Sequence, residues 1–299
     1  MALCILAGAD QSYAQQSSAD TPACILQDQA APIKITKTML AGVPAILRVP
    51  THVTKPPIVL WHGLGPPASE GELMQALPLD EVAAVKVYLG LPLFGERAPP
   101  SGSASLAQRQ GTDYGSMIEE PVVFGAAKEL PAVLRALQEQ RCLAPGDKIG
   151  LFGFSAGGAA VLFELAERDV PVRAAVVLSA PSSLNVAIDA LERVTKKSYV
   201  WSPRTRQIAQ RSDAIARASD IAAGQPPPAL LILHGADDQL IPSATAVSLF
   251  QALQPGYRAS GDVERLKLIV APGVAHDWTV SPGLQTLRAA VSDWFKHYL

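Results

Sequence analysis

The chain has 299 residues, with 25 Lys/Arg against 27 Asp/Glu, a net charge of −2 and 48% hydrophobic residues. This balance carries no electrostatic footprint for nucleic acid, and no apolar run approaches the ~20 residues that span a bilayer. A chain of this size buries enough surface for an α/β domain without a metal or disulfide staple.

The first apolar run, residues 2–9, is followed by a polar, small-residue stretch containing Ser12-Tyr13-Ala14 and Ser17-Ser18-Ala19. That order predicts a secretory signal peptide over residues 1–23 and an exported chain. The positive leading segment is missing, which leaves a disordered tail and a cytoplasmic chain as the alternative. Cys4 lies inside this stretch, so Cys24 and Cys142 remain as either one disulfide or two free thiols. No CxxC, HExxH or clustered His/Cys spacing is present, and no metal site is expected.

From residue 33 onward, strand and helix patterns alternate. Residues 33–39 and 44–49 flank Ala41-Gly42 and predict an antiparallel hairpin. Continuous apolar runs at 58–61, 83–89, 148–154, 174–178, 229–233 and 266–270 predict strands covered on both faces, as in a parallel sheet. Helical spacing appears at 69–77, 122–140, 156–168, 244–253 and 284–298. The alternation predicts right-handed crossovers and a doubly wound α/β fold, a single domain over residues 24–299. Two stretches break the rhythm. Residues 92–121 are Gly/Pro/Ser-rich and predict a functional surface loop. Residues 185–228 predict a helical, cap-like insertion over the carboxyl edge of the sheet, where ligands bind in such folds.

Gly153-Phe154-Ser155-Ala156-Gly157 stands between a predicted strand and a predicted helix. In that context G-x-S-x-G is a nucleophile elbow, which exposes the serine on a strained turn. A serine hydroxyl needs a base to take its proton, and in this chain order the acid and then the histidine follow the serine. His52, His62 and His234 come too early, and His297 lies in the C-terminal helical pattern. His276, on the loop after the last predicted strand, is the expected base. The expected oxyanion donors are the backbone N–H groups of Ala156 and of Leu64 in Trp61-His62-Gly63-Leu64-Gly65. A buried turn serine and a plain Gly/Pro turn are the structural alternatives.

With His62-Gly63, the elbow, His234-Gly235-Ala236-Asp237-Asp238-Gln239-Leu240-Ile241-Pro242 and His276 together, the sequence resembles the α/β-hydrolase superfamily over residues 33–299. The H-G-x-x-D-x-x-I-P shape is similar to the dienelactone hydrolase and prolyl-oligopeptidase-like branch, and Gly95-Glu96-Arg97 to a G-x-R segment of its small carboxylesterases. Dienelactone hydrolases proper carry a cysteine nucleophile; here the residue is Ser155. The resemblance implies a serine esterase acting on a small-molecule ester through a Ser-Asp-His triad, without metal or organic cofactor. Peptidase or amidase chemistry on the same scaffold, and a non-catalytic binding protein, are the alternatives. The H-G-x-x-D frame assigns the acid to Asp238 and leaves Asp237 as a turn residue, although a one-residue shift would exchange them. Trp278 and Trp201 are expected to line the acyl pocket or else the core. Residues 185–228 hold seven Lys/Arg against four Asp/Glu, which suits a solvated helical face or an anionic substrate.

Overall fold

A computed structural model describes Cys24 and residues 33–299. The expected signal peptide lies outside the described residues. One eight-stranded sheet, in the order β1-β2-β4-β3-β5-β6-β7-β8, organises the chain. The hairpin β1 (Ile33–Leu40) and β2 (Val43–Pro50) joins the sheet edge, where β2 runs antiparallel to β4 (Ala84–Leu89). The remaining strands are parallel: β3 (Lys55–Trp61), β5 (Ile149–Phe154), β6 (Val172–Leu178), β7 (Ala229–Gly235) and β8 (Leu266–Ala271).

Alternation along these strands feeds two cores. Val59, Leu151, Val177 and Ile232 enter one, while Leu60, Phe152, Val176 and Leu231 enter the other. Both faces are apolar because both are covered, which is why the strands read as unbroken hydrophobic runs. The first core takes α3 (Gly125–Glu139), α4 (Ala156–Glu167) and α8 (Ala244–Ser260); the second takes α1 (Glu70–Ala76) and α9 (Leu284–Tyr298). Ser69 caps α1 by accepting the N–H of Glu72, as its place before the helical run suggests.

The stretch expected to be a surface loop is instead largely helical. It contains α2 (Ser103–Tyr114), which breaks at Asp113, and then a π-helical segment Gly115–Phe124. Pro121 has no N–H to give a regular helix, which favours a wide turn there. The insertion at 185–228 forms α5 (Leu184–Thr195), α6 (Pro203–Ser212) and α7 (Ala218–Ile221). Asp113 ties these two regions together: it accepts hydrogen bonds from Tyr199, Ser202 and Thr205 and from the N–H of Ser116. Burial alone would raise its carboxyl, but these four donors hold it down to about 2. Gly115 permits the approach, since a Cβ there would lie 2.4 Å from the Thr205 methyl.

Cys24 and Cys142 form a disulfide, the first of the two alternatives left by the sequence.

Candidate active site

Parallel topology brings the carboxyl ends of β3, β5, β7 and β8 to one edge, and each contributes to a single cleft. Ser155 follows β5 directly and takes φ 51°, ψ −118°, a backbone region that costs a non-glycine residue ~1–3 kcal/mol. Gly157 makes the turn possible, because a Cβ there would stand 2.4 Å from the carbonyl oxygen of His62. The strain is held by the sheet: Ser155 N–H continues the ladder to Leu178 O at 2.9 Å.

His276, on the loop after β8, reaches Ser155 Oγ with Nε2 at 3.1 Å and Asp238 Oδ2 with Nδ1 at 2.8 Å. A carboxylate at Nδ1 accepts the proton on that nitrogen, so Nε2 is left to accept the serine O–H. The loop itself is pinned: Ser281 Oγ accepts the N–H of Ala275 and donates to Asp277 O. Below the imidazole, the Phe154 ring lies at 5.2 Å and meets Trp278 edge-on at 5.9 Å.

Asp238 is buried and uses both oxygens. Oδ1 accepts the N–H groups of Leu240 and Ile241, and Oδ2 faces His276. Burial pushes its carboxyl up, but hydrogen bonds involving His234 and His276 and the Ile241 N–H outweigh it and hold the group well below the usual carboxylate range. Asp237, expected to satisfy the turn's donors, does not: it is exposed, and Asp238 accepts those bonds instead. The reason is steric direction. The Asp237 N–H pairs with Val274 O, which fixes the backbone and turns the next side chain inward.

His234 was passed over in the sequence because it precedes the acid. The fold sets its Nε2 3.5 Å from Asp238 Oδ2, while the same nitrogen donates to Ile241 O at 2.8 Å. It braces the acid's turn from within the core. His62 was also set aside, and it too is buried. Its Nε2 accepts the N–H of Leu91 at 3.1 Å, so its Nδ1–H donates to Gly63 O at 2.7 Å. Burial lowers its pKa to about 4, in keeping with a neutral ring. Gly63 O and Leu64 N–H belong to one planar peptide, so fixing the carbonyl aims the N–H the opposite way. Arg97 steadies the same region through a two-pronged pair with Glu129 and a bond to Gly90 O. The signal for both histidines was present as H-G pairs at strand ends, but only spatial neighbours give them partners.

A cleft of about 260 Å³ opens over Ser155 and His276, and Leu64 and Ala156 line it. The backbone N–H of each makes no hydrogen bond among the described residues. Ala156 is also the first residue of α4, where unsatisfied N–H groups and the helix dipole favour negative charge. α5 supplies an apolar wall through Ala187, Ala190, Leu191 and Val194; Gln110, Tyr114 and Glu119 come from the region between β4 and α3. Together these parts can position a carbonyl against a hydroxyl nucleophile and receive charge on its oxygen.

Neither tryptophan lines the cleft. Trp278 is fully buried in the second core beneath the histidine loop, and Trp201 is half-buried against the first core beside Tyr199. Their large apolar surfaces are spent on packing. The basic excess of the insertion does not line it either. Arg204 pairs with Glu120, Arg211 and Arg217 with Glu167, and Arg193 donates to Leu240 O. An anionic substrate therefore finds no free arginine from these pairs in the cleft wall.

A family model described as the prolyl oligopeptidase family matches residues 108–299. No curated protein sequence matches. Among solved structures, the chain is similar to TT1662 from Thermus thermophilus, at 22% identity and TM-score 0.65, over 89% of this chain and 99% of that one. It is similar to a dienelactone hydrolase from Anabaena variabilis, at 17% identity and TM-score 0.55, over 90% of this chain and 100% of that one. A monoacylglycerol lipase from Paleococcus ferrophilus gives 18% identity and TM-score 0.57, over 86% of this chain and 99% of that one. At such identities the likeness is one of fold, and the fold is the α/β-hydrolase arrangement that the sequence led us to expect.

Proposed function

The chain belongs to the prolyl oligopeptidase family, and from that premise we propose that it is a serine hydrolase cleaving small carboxylic esters through an acyl-enzyme intermediate. The carrying observation is the hydrogen-bonded series Ser155 Oγ, His276 Nε2, His276 Nδ1 and Asp238 Oδ2 on the floor of the cleft. Ser155 attacks the carbonyl carbon while His276 takes its proton, and Asp238 stabilises the imidazolium that forms. The N–H groups of Ala156 and Leu64 receive the oxyanion, each worth ~3 kcal/mol in the transition state. His276 then returns the proton to the departing alcohol, and a water activated by the same ring releases the acid. At about 260 Å³ the cleft is smaller than the ~300–1,000 Å³ usual for drug-sized ligands, which favours a short acyl group.

The family name favours a second reading, amide cleavage by the same residues. Solved neighbours described as an esterase/lipase and as a carboxyl esterase favour the ester. For location, the Cys24–Cys142 bridge suits an oxidising compartment and supports export.

Labelling with a fluorophosphonate, followed by peptide mapping, tests the mechanism: Ser155 should be the modified residue, and an unlabelled Ser155 in folded protein would overturn it. Matched nitrophenyl esters and nitroanilides of the same acyl groups then separate the two readings. Faster turnover of the anilides would reverse our preference.

A further inference from the structure

Glu119 sits in the cleft wall, 3% exposed, with no hydrogen bond or ion pair to any described residue. The contrast with its surroundings is sharp. Glu120, one residue on, pairs with Arg204; Glu129 pairs with Arg97; Asp113 accepts four hydrogen bonds. A buried carboxylate is costly unless it is paired, and these neighbouring acids have partners. Burial alone pushes the Glu119 carboxyl up to about 7. Tyr114 lines the same wall, is itself buried, and its hydroxyl also makes no hydrogen bond to a described residue. Burial raises the Tyr114 phenol and the charge of Glu119 raises it further, yet the two groups do not bond each other. The wall from α5 is largely apolar.

An ionised carboxylate only accepts hydrogen bonds, and a phenol oxygen can accept one as well. Their shared complement is a donor with a positive charge. A hydroxyl or amide N–H would leave the charge unmatched. A guanidinium is a broad planar group, and a cleft of about 260 Å³ must also hold the scissile carbonyl. A primary ammonium, a compact charge with three donors, fits both limits.

We propose that Glu119 and Tyr114 form a recognition point for a primary ammonium group on the substrate, so that the enzyme selects short esters or amides carrying a free amine. The proposal rests on the serine hydrolase reading above and names the substrate class of that site. Both residues are specificity-determining; neither takes part in acyl transfer.

The test uses three pairs of nitrophenyl esters matched in length: glycinate with propanoate, β-alaninate with butanoate, and 6-aminohexanoate with heptanoate. At a pH where the amines are charged, the native enzyme should favour at least one amino ester over its neutral match by tenfold or more in kcat/KM. In Glu119→Gln that ratio should fall at least tenfold, mainly through KM, and in Tyr114→Phe a few-fold. Butylammonium should also inhibit hydrolysis of the neutral esters competitively at lower concentration than 1-butanol, and only with Glu119 present. Thermal melts of both variants establish that they are folded. Equal ratios in native and Glu119→Gln protein, or no ammonium inhibition, would overturn the proposal; if Ser155 still labels with fluorophosphonate, the hydrolase reading survives that failure. If Ser155 does not label, calorimetric titration with butylammonium decides the recognition point alone. Binding lost in Glu119→Gln upholds it, and no binding to native protein removes it.

Discussion

Asp238 and His276, 38 residues apart, meet at 2.8 Å because β7 and β8 run side by side and deliver both loops to one edge. The same carboxylate closes its own turn through Oδ1, so one residue holds the loop and orients the His276 ring. Asp238→Asn keeps Oδ1 as the acceptor for the turn but turns an amide N–H toward His276 in place of a charged acceptor. The wrong tautomer then faces Ser155. Turnover should fall on the order of 10⁴-fold, while Asp237→Asn, at an exposed side chain, stays within about twofold of native. Steady-state kinetics on one ester compares them, and the reverse ranking would exchange the two roles.

In the proposed mechanism, His62 acts on the oxyanion through a peptide it does not contain. His62→Phe keeps the ring volume but leaves Leu91 N–H and Gly63 C=O unpaired. The loss in kcat should be ~10- to 100-fold, less than removing a donor outright, with little change in KM. Affinity for a boronic-acid analogue of the tetrahedral state should drop by the same factor while product inhibition is unmoved. A uniform loss of stability without that split would mark His62 as structural only.

Glu164 sets a pH dependence far from the chemistry. Its Oε1 accepts the N–H of Val170 at 2.9 Å, Oε2 is buried without a partner, and burial raises the carboxyl to about 8. The unfolded chain releases this proton near the ordinary value of 4.5, so between there and about 8 the native state holds the extra proton. Stability from this group is therefore present below that window and lost as pH rises through it. Glu164→Gln removes the titration. Its Tm relative to native protein should climb by several degrees from about pH 5 to about pH 8.5; a pH-independent offset in calorimetry would refute this.

The Cys24–Cys142 bridge closes a loop with a sequence separation of 118. Opening a loop of that length restores unfolded-state entropy worth roughly 4–5 kcal/mol, about 10 °C in Tm for a domain of this size. Cys142→Ser, or native protein under reductant, should melt lower by that order. Equal melting with and without reductant would show that the bridge contributes nothing.

Much of the site was legible in the sequence because its grammar is local. The elbow needs a strand, a tight turn and a helix within a few residues, and Gly153 to Gly157 supply that pattern without reference to the rest of the chain. The strands were legible for a similar reason: a sheet covered on both faces leaves uninterrupted apolar runs. Residues 92–121 misled, since their glycines, prolines and serines suggested a loop where α2 and a π-helical segment form. Packing against α6 through Asp113, and the room Gly115 gives to Thr205, override the weak local preference.

By itself, the sequence determined the order of the strands, the serine on its tight turn and the succession of serine, acid and histidine, since each depends on neighbours along the chain. Only the tertiary structure decided which aspartate turns inward, that His62 and His234 brace the site, that both tryptophans belong to packing, and that Glu119 faces the cleft unpaired. Those facts depend on burial and on which strands and loops the fold sets side by side.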